Sequence, residues 1–385
     1  MRRVTVFFGL PLFVAVILLC APRSRAADTL PIQIADDAFW KFIDISSEAG
    51  GVFQSENFLS NETGFQSVIP TLKQTAKPGG VYLGVGPEQN FTYIAAIHPK
   101  SAFIIDIRRQ NMLEHMMYKA IFEMSADRAD FLSRLFSRKR PSGLNDKSTV
   151  DELFAAYRLA EALDSDSYQK NLQDIKDLLL TTHKFGLTNE DQNDIGHVYR
   201  VFRDFGPEIN YNSGTPGGRV RGGGGMPNYV NLMTATDGQG QERSYLASEE
   251  SYLFLRDLES RNLIVPLTGD FGGPNAIQVV GQYLKDHNAT VTAFYLSNVE
   301  QYLFQGNGNQ NGGWTKFYDN VATLPLDEFS TFIRSAGGGA RRGPFAGRLG
   351  GGMRAPNVLA SIQETVTAVK AGRIQAYNDI FSISR

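Results

Sequence analysis

Residues 79–107 constrain this chain more than any others. GGVYLGVGPEQNF leads through one helix-length segment into AFIIDI. Short apolar runs bounded by glycine, proline or a charge suit strands buried on both faces, the setting of a parallel sheet. The first run, VYLGV, ends in Gly84-Val85-Gly86, where glycines permit a tight turn. Pro87 is placed to open the next helix, because a helix start leaves its missing N–H unsatisfied anyway. A helix around Phe91 to Ala96 leads to a strand at 102–107. A long helix follows over 110–136, with Met112, Leu113, Met116, Met117, Ala120, Ile121 and Met124 along one side. Strand, helix, strand, helix predicts an α/β fold with a doubly wound, mostly parallel sheet.

The same alternation returns later. A helix over 247–261, the strand NLIVPLTGDF at 262–271, a helix over 275–287 and the strand TVTAFYLS at 290–297 are expected. A short helix NVEQYLF and a candidate strand around 320–324 follow. Upstream, an amphipathic helix over 36–45, the polar connection SENFLSNET and a second helix through Phe65, Val68, Ile69 and Leu72 form an N-terminal helical cap, residues 27–76. The sheet domain is then 77–385. Between about 139 and 240 the strand pattern lapses into helices over 149–163, 167–183 and 189–204. That stretch reads as a helical, glycine-rich insertion or as a separate small domain. Three glycine-rich stretches, 214–225, 306–313 and 337–352, interrupt the order. Arg219, Arg221, Arg341, Arg342, Arg348 and Arg354 in or beside two of them leave three readings open, a mobile cationic lid, an RGG-like nucleic-acid contact or a solvated flexible loop.

The N-terminus predicts export. Arg2 and Arg3 precede an apolar run from Val6 to Leu19, and Ser24-Arg25-Ala26 supplies small residues for a signal peptidase, so residues 1–26 are expected to be removed near Ala26. The run is fourteen residues long, short of the about 20 needed to span a membrane, so no stable span is expected in the mature chain. The mature protein is then periplasmic or secreted; without a functional leader it is cytoplasmic. The one cysteine, Cys20, lies inside this segment, which leaves the mature chain without thiolate chemistry or disulfides. A 42% hydrophobic chain of 385 residues supplies an ample core, and its net charge of −2 gives no reason to expect nucleic acid as a partner. No HExxH, GxSxG or P-loop sequence occurs, and the five histidines are scattered, so no metal site is expected.

In a doubly wound sheet the ligand lies at the carboxyl ends of the strands, where strand order reverses, and the first strand-to-helix turn is the usual contact. Gly84 and Gly86 form that turn. A dinucleotide fingerprint would place its third glycine at Gln89, and the methyltransferase pattern at Glu88. A carboxylate at a helix N-terminus takes the position of a pyrophosphate and repels it, so Glu88 argues against NAD, FAD and nucleotide phosphates. Asp106 ends the second strand, where an acidic side chain accepts hydrogen bonds from ribose hydroxyls. Arg108 and Asn111, just beyond it, complete the cofactor side, although an arginine here also suits a 2′-phosphate or a local ion pair. A cationic nucleoside without phosphate fits two carboxylates, and S-adenosylmethionine is such a molecule. Asn61, Asp270, Asn298 and Glu300 are candidates on the substrate side, because three of them follow strand ends. Ser60, Asn61 and Glu62 either fold over the pocket or form a plain polar loop. For Asp270 and Asn298 helix capping is the alternative.

VYLGVGPEQNFTYI, AFIIDIRRQNMLEHMMYKAIFEMSADRADFLSRLFSR, LIVPLTGDFGGPNAI and VTAFYLSNVEQYL together resemble an uncharacterised bacterial protein family, as does SENFLSNE at 55–62. Its members resemble class I S-adenosylmethionine-dependent methyltransferases in fold. The resemblance covers most of residues 55–305 and implies a Rossmann-like fold, without an established reaction. The expected function is methyl transfer from S-adenosylmethionine to an acceptor that the sequence does not name. The alternative is an exported, non-catalytic protein that keeps the fold and binds a small molecule or a partner. S-adenosylmethionine is a cytoplasmic metabolite, so it and export conflict unless the ligand is captured beforehand.

Overall fold

A computed structural model describes residues 27–214, 226–306, 313–335 and 357–383. The expected leader, residues 1–26, and the bulk of the three glycine-rich stretches with their arginines lie outside the described residues.

The chain opens with helix α1 (Asp36–Ser46), an irregular strap over 47–64, a 3-10 turn (Phe65–Val68) and α2 (Ile69–Thr75). Strand β1 (Val81–Gly84), α3 (Gln89–Ile97), β2 (Ser101–Asp106) and α4 (Arg109–Met124) follow as the alternation predicts. Every residue of β1 and β2 is buried, which is why both read as unbroken apolar runs. The expected helix over 110–136 is two helices, α4 and α5 (Arg128–Leu135). Ser125 and Asp127 are extended, and the Asp127 side chain accepts from the Asp130 amide at 2.7 Å, capping a new helix.

The intervening region holds α6 (Val150–Leu159), α7 (Ser165–Asp177), a π-helical turn (Leu178–Thr182), α8 (Asn189–Phe205) and α9 (Tyr229–Met233). The sheet resumes through α10 (Glu249–Ser260), β3 (Ile264–Thr268), α11 (Ala276–Asp286), β4 (Val291–Ser297) and α12 (Val299–Gln305). The candidate strand around 320–324 is not a strand: α13 (Gly313–Val321) covers its start. The fifth strand is β5 (Thr331–Ser335), interrupted in its apolar pattern by Arg334. It pairs antiparallel with β6 (Asn357–Ser361), which α14 (Ile362–Lys370) follows.

The six strands form one mixed sheet in the order β3-β2-β1-β4-β5-β6, parallel except for β6. Successive strands run outward from β1 to β3, then cross to its other side for β4. The order therefore reverses beside β1, and the carboxyl ends of β1 and β4 diverge to leave a crevice. Among the described residues no helix is long and apolar enough to cross a membrane.

The two glycines of the β1 turn are required for different reasons. Gly86 has φ +79°, a left-handed conformation that costs other residues strain. Gly84 is needed for space: a Cβ there would lie 1.9 Å from the Asn90 carboxamide oxygen and 2.8 Å from the Tyr82 ring. Gly84→Ala should destabilise the protein by about 1–3 kcal/mol through overpacking. Urea unfolding measures this, and an unchanged midpoint would show that Asn90 gives way freely.

Candidate functional site

Asn90 locks the β1 turn. Its carboxamide oxygen accepts from the Tyr82 hydroxyl at 2.8 Å, while its nitrogen donates to the carbonyls of Val85, Gly86 and Pro87 at 3.0, 3.1 and 2.7 Å. His115 on α4 adds a bond from Nε2 to the Gly86 carbonyl at 2.9 Å. Burial pushes this imidazole down to about 4, so at neutral pH it is uncharged and donates through Nε2.

A cavity of about 320 Å³ opens at the carboxyl edge of the sheet, where strand order reverses. Gly86 and Gln89 contribute from the β1 turn, Asp106 and Arg108 from the end of β2, Asp270 and Phe271 from beyond β3, and Ser297 and Asn298 from the end of β4. Strap residues, among them Phe53, Ser60 and Asn61, close the remaining side.

Six of the residues singled out in the sequence, Gly86, Asp106, Arg108, Asn61, Asp270 and Asn298, therefore line one cavity. Asn298 stands at the N-cap position of α12, as the capping alternative has it, but its side chain makes no cap bond there. The Asp270 carboxylate accepts from the Gly272 amide at 2.9 Å in a turn of its own, and Asn275 is the residue at the start of α11. Gly84, Glu88, Asn111 and Glu300 do not line that cavity. Gly84 lies behind the turn, packed against Asn90. Asn111 is buried in the first turn of α4. Glu300 points from α12 to Arg334, which donates through Nε at 2.7 Å and through Nη2 at 3.1 Å, and it also accepts from the Tyr318 hydroxyl. This is a buried ion pair between α12 and β5.

Glu88 departs most from expectation. Its carboxyl is wholly buried rather than turned toward the cavity. Burial, with neither carboxyl oxygen hydrogen-bonded to a described residue, pushes it up to about 8. It is uncharged at neutral pH, so it presents no carboxylate to repel a phosphate, and the electrostatic argument drawn from its sequence position falls. Burial and the nearby Glu88 likewise raise Glu114.

Asp106 is already paired. Its Oδ1 accepts from the Arg108 amide at 2.9 Å and from Nε at 3.0 Å, and its Oδ2 accepts from Nη2 at 3.0 Å. Arg108 reaches on to the strap carbonyls of Glu56 and Asn57. Of the two readings left open for this arginine, the local ion pair is the one observed. It ties the end of β2 to the strap.

Two carboxylates organise the wall: Glu62, which the sequence places in a segment that folds over the pocket or forms a plain polar loop, and Glu48, which sequence reasoning did not single out. Glu62, at the end of the strap, accepts from Ser297 Oγ at 2.5 Å through one oxygen, and from Gln89 and Asn357 at 3.0 Å each through the other. Four separate chain segments meet on that group: the strap, the β1 turn, the end of β4 and the start of β6. Ser297 is held there at φ +50°, beside a register shift in β4. Glu48 follows α1 and accepts from the amides of Asp270, Asn275 and Ala276 at 3.1, 2.8 and 3.0 Å, capping α11 from a distant part of the chain. Neither carboxylate has a local pattern to reveal it, because its partners lie far away in sequence. Among the described residues no group of His, Asp and Glu side chains is placed to hold a metal ion.

Glu62→Gln replaces an acceptor of three hydrogen bonds with a group that must also donate. It should cost about 1–3 kcal/mol in urea unfolding, while Glu62→Asp recovers part of the loss. A variant as stable as the parent would remove Glu62 from this role. The raised Glu88 carboxyl makes a second prediction. The folded state binds this proton more tightly than the unfolded chain, so its contribution is fully present below about 4.5 and is lost as pH rises through about 8. Glu88→Gln should therefore lose less stability than the parent between pH 5 and 9, by something on the order of a few kcal/mol. Equal slopes would mean that Glu88 is ionised in the folded protein.

No curated protein matches the chain. The family model described as "Domain of unknown function (DUF7790)" matches residues 57–346, well over half of the chain and all of β1 to β5. The chain belongs to that family.

Proposed function

We propose that this protein is a class I methyltransferase-like protein that binds S-adenosylmethionine in the cavity at the carboxyl edge of its sheet. The observation that carries this reading is the placement of Asp106: it ends the second strand, on the cavity wall, one strand away from the glycine turn. Its Oδ2 accepts a single hydrogen bond from Arg108, which leaves lone-pair capacity for a ribose hydroxyl. The strand order β3-β2-β1-β4-β5 supports the Rossmann-like fold that the sequence resemblance implies, and the antiparallel β6 departs from a wholly parallel dinucleotide sheet.

The described wall fits the ligand in size and charge. A cavity of about 320 Å³ suits one nucleoside-sized molecule better than a dinucleotide. With Glu88 withdrawn, the case against phosphates rests on Arg108, the one cationic side chain on the described wall, which is engaged by Asp106 and by strap carbonyls. When bound, S-adenosylmethionine supplies an electrophilic methyl group. The role of the chain is to orient: Asn90 and His115 fix the turn, Glu62 fixes Gln89 and Ser297, and Glu48 fixes the Asp270 loop.

The second reading is an exported protein that keeps this sheet without catalysis. The Asp106–Arg108 pair favours it, because a ribose must share a carboxylate that is largely satisfied. Calorimetric titration with S-adenosylmethionine and S-adenosylhomocysteine separates the two. The first reading expects micromolar to sub-millimolar binding that Asp106→Ala weakens by about 1.5–3 kcal/mol, the range for hydrogen bonds to a charged group. No heat at millimolar ligand would sink it.

A further inference from the structure

Part of the strap is fixed at both ends and lightly held between them. At one end the Gly51 amide donates to the Ile107 carbonyl at 2.7 Å, and Gly51 lies so close to Ile107 that a Cβ would meet its side chain at 2.5 Å. At the other end Phe58, Leu59 and Ser60 are buried. The six residues between, Val52 to Asn57, are all half-buried or exposed, and Val52 is 97% exposed. Three of them, Val52, Phe53 and Asn57, line the cavity. The stretch closes in a turn of its own, in which Asn57 takes φ +47° and its amide donates to the Ser55 hydroxyl at 3.2 Å.

The ties from this stretch to the body of the protein centre on Arg108. It donates through Nη1 to the carbonyls of Glu56 and Asn57, and its guanidinium stands 5.9 Å from the Phe53 ring. Asp106 aims it, taking Nε and Nη2 and leaving Nη1 for the strap. Beside it, Phe53 meets Tyr302 of α12 edge to face, with ring centroids 5.4 Å apart, and the Glu56 carboxylate pairs with His197 of α8 at 2.8 Å. Phe53 and Tyr302 both line the cavity and touch, so a molecule that enters between the strap and α12 has to part them.

We propose that residues 52–57 are a flap that lifts from α12 to admit the ligand, and that Arg108, aimed by Asp106, is the catch that closes it. The flap rests on the function proposed above only in taking this cavity as the ligand site. Occupancy and closure are then coupled, because a hydroxyl bound to Asp106 lies beside the catch.

Limited chymotrypsin digestion of the full mature chain reads the flap directly, since cleavage after Phe53 needs that ring in the protease and away from Tyr302. When opening is fast relative to cleavage, the rate follows the open population. Arg108→Gln should speed cleavage after Phe53 roughly ten- to hundredfold, the range for lost hydrogen bonds to a charged group. Arg108→Lys keeps the charge without the fork and should fall between parent and Arg108→Gln. Tyr302→Ala should speed cleavage roughly two- to tenfold. Cleavage at buried aromatic residues is the internal standard for global unfolding and should not change. If Arg108→Gln unfolds the chain, the other two variants decide. Millimolar S-adenosylhomocysteine should slow cleavage of the parent after Phe53. An unchanged rate after Phe53 in the folded Arg108 or Tyr302 variants, or a rise matched at the buried sites in all three, overturns the flap. So does S-adenosylhomocysteine that binds by calorimetry and leaves the rate as it was. Cleavage that follows Arg108 and Tyr302 in a protein that binds no S-adenosylhomocysteine upholds the flap while removing the methyltransferase reading.

Discussion

The cavity depends on one buried carboxylate. Glu62 gathers donors from the β1 turn, the end of β4 and the start of β6, and it closes the strap over the strand ends on which it sits. A buried carboxylate is costly unless its oxygens are satisfied, and this one is satisfied only when all these segments are in place. The crevice where the strand order reverses would otherwise be open on that side. Glu48 repeats the device on a smaller scale by bringing the Asp270 loop and the start of α11 to the same strap.

The charged groups around the cavity divide into those that face it and those that hold it. Asp106, Arg108 and Asp270 are on the wall, whereas Glu300, Arg334, Glu88 and Glu114 are sealed behind it. Arg108 belongs to both groups, since it borders the cavity while pinning β2 to the strap. The Glu300–Arg334 pair does not gain stability simply by being ionic, because desolvation offsets its attraction. Its consequence is geometric: α12 can dock in one orientation, with Tyr302 and Leu303 toward the cavity.

Much of the sheet was legible in the sequence because strands buried on both faces leave continuous apolar runs. VYLG, AFIID, IVPLT and VTAFYLS stand out for that reason, and the helices between them follow from spacing. β5 and β6 were not legible. TFIRS is broken by an arginine whose partner lies in another helix, and NVLAS is short and bounded by polar residues. The division of α4 from α5 rested on an aspartate cap within a pattern that looked like one helix. The glycine turn, Asp106, Asp270 and Asn298 could be placed at one edge because parallel strands deliver their carboxyl ends to the same side.

The sequence by itself determined the alternation of strands and helices, the glycines at the β1 turn and the acidic residue ending β2. These are local properties, fixed by apolar periodicity and by backbone conformations that only certain residues accept. Only the tertiary structure decided which way each charge points. Glu88, read as a carboxylate at a helix start, turns inward and becomes neutral because burial removes the water that would stabilise its charge. Glu62, in the sequence only one residue of a polar segment that could fold over the pocket, becomes the centre of the site because donors distant in sequence converge on it.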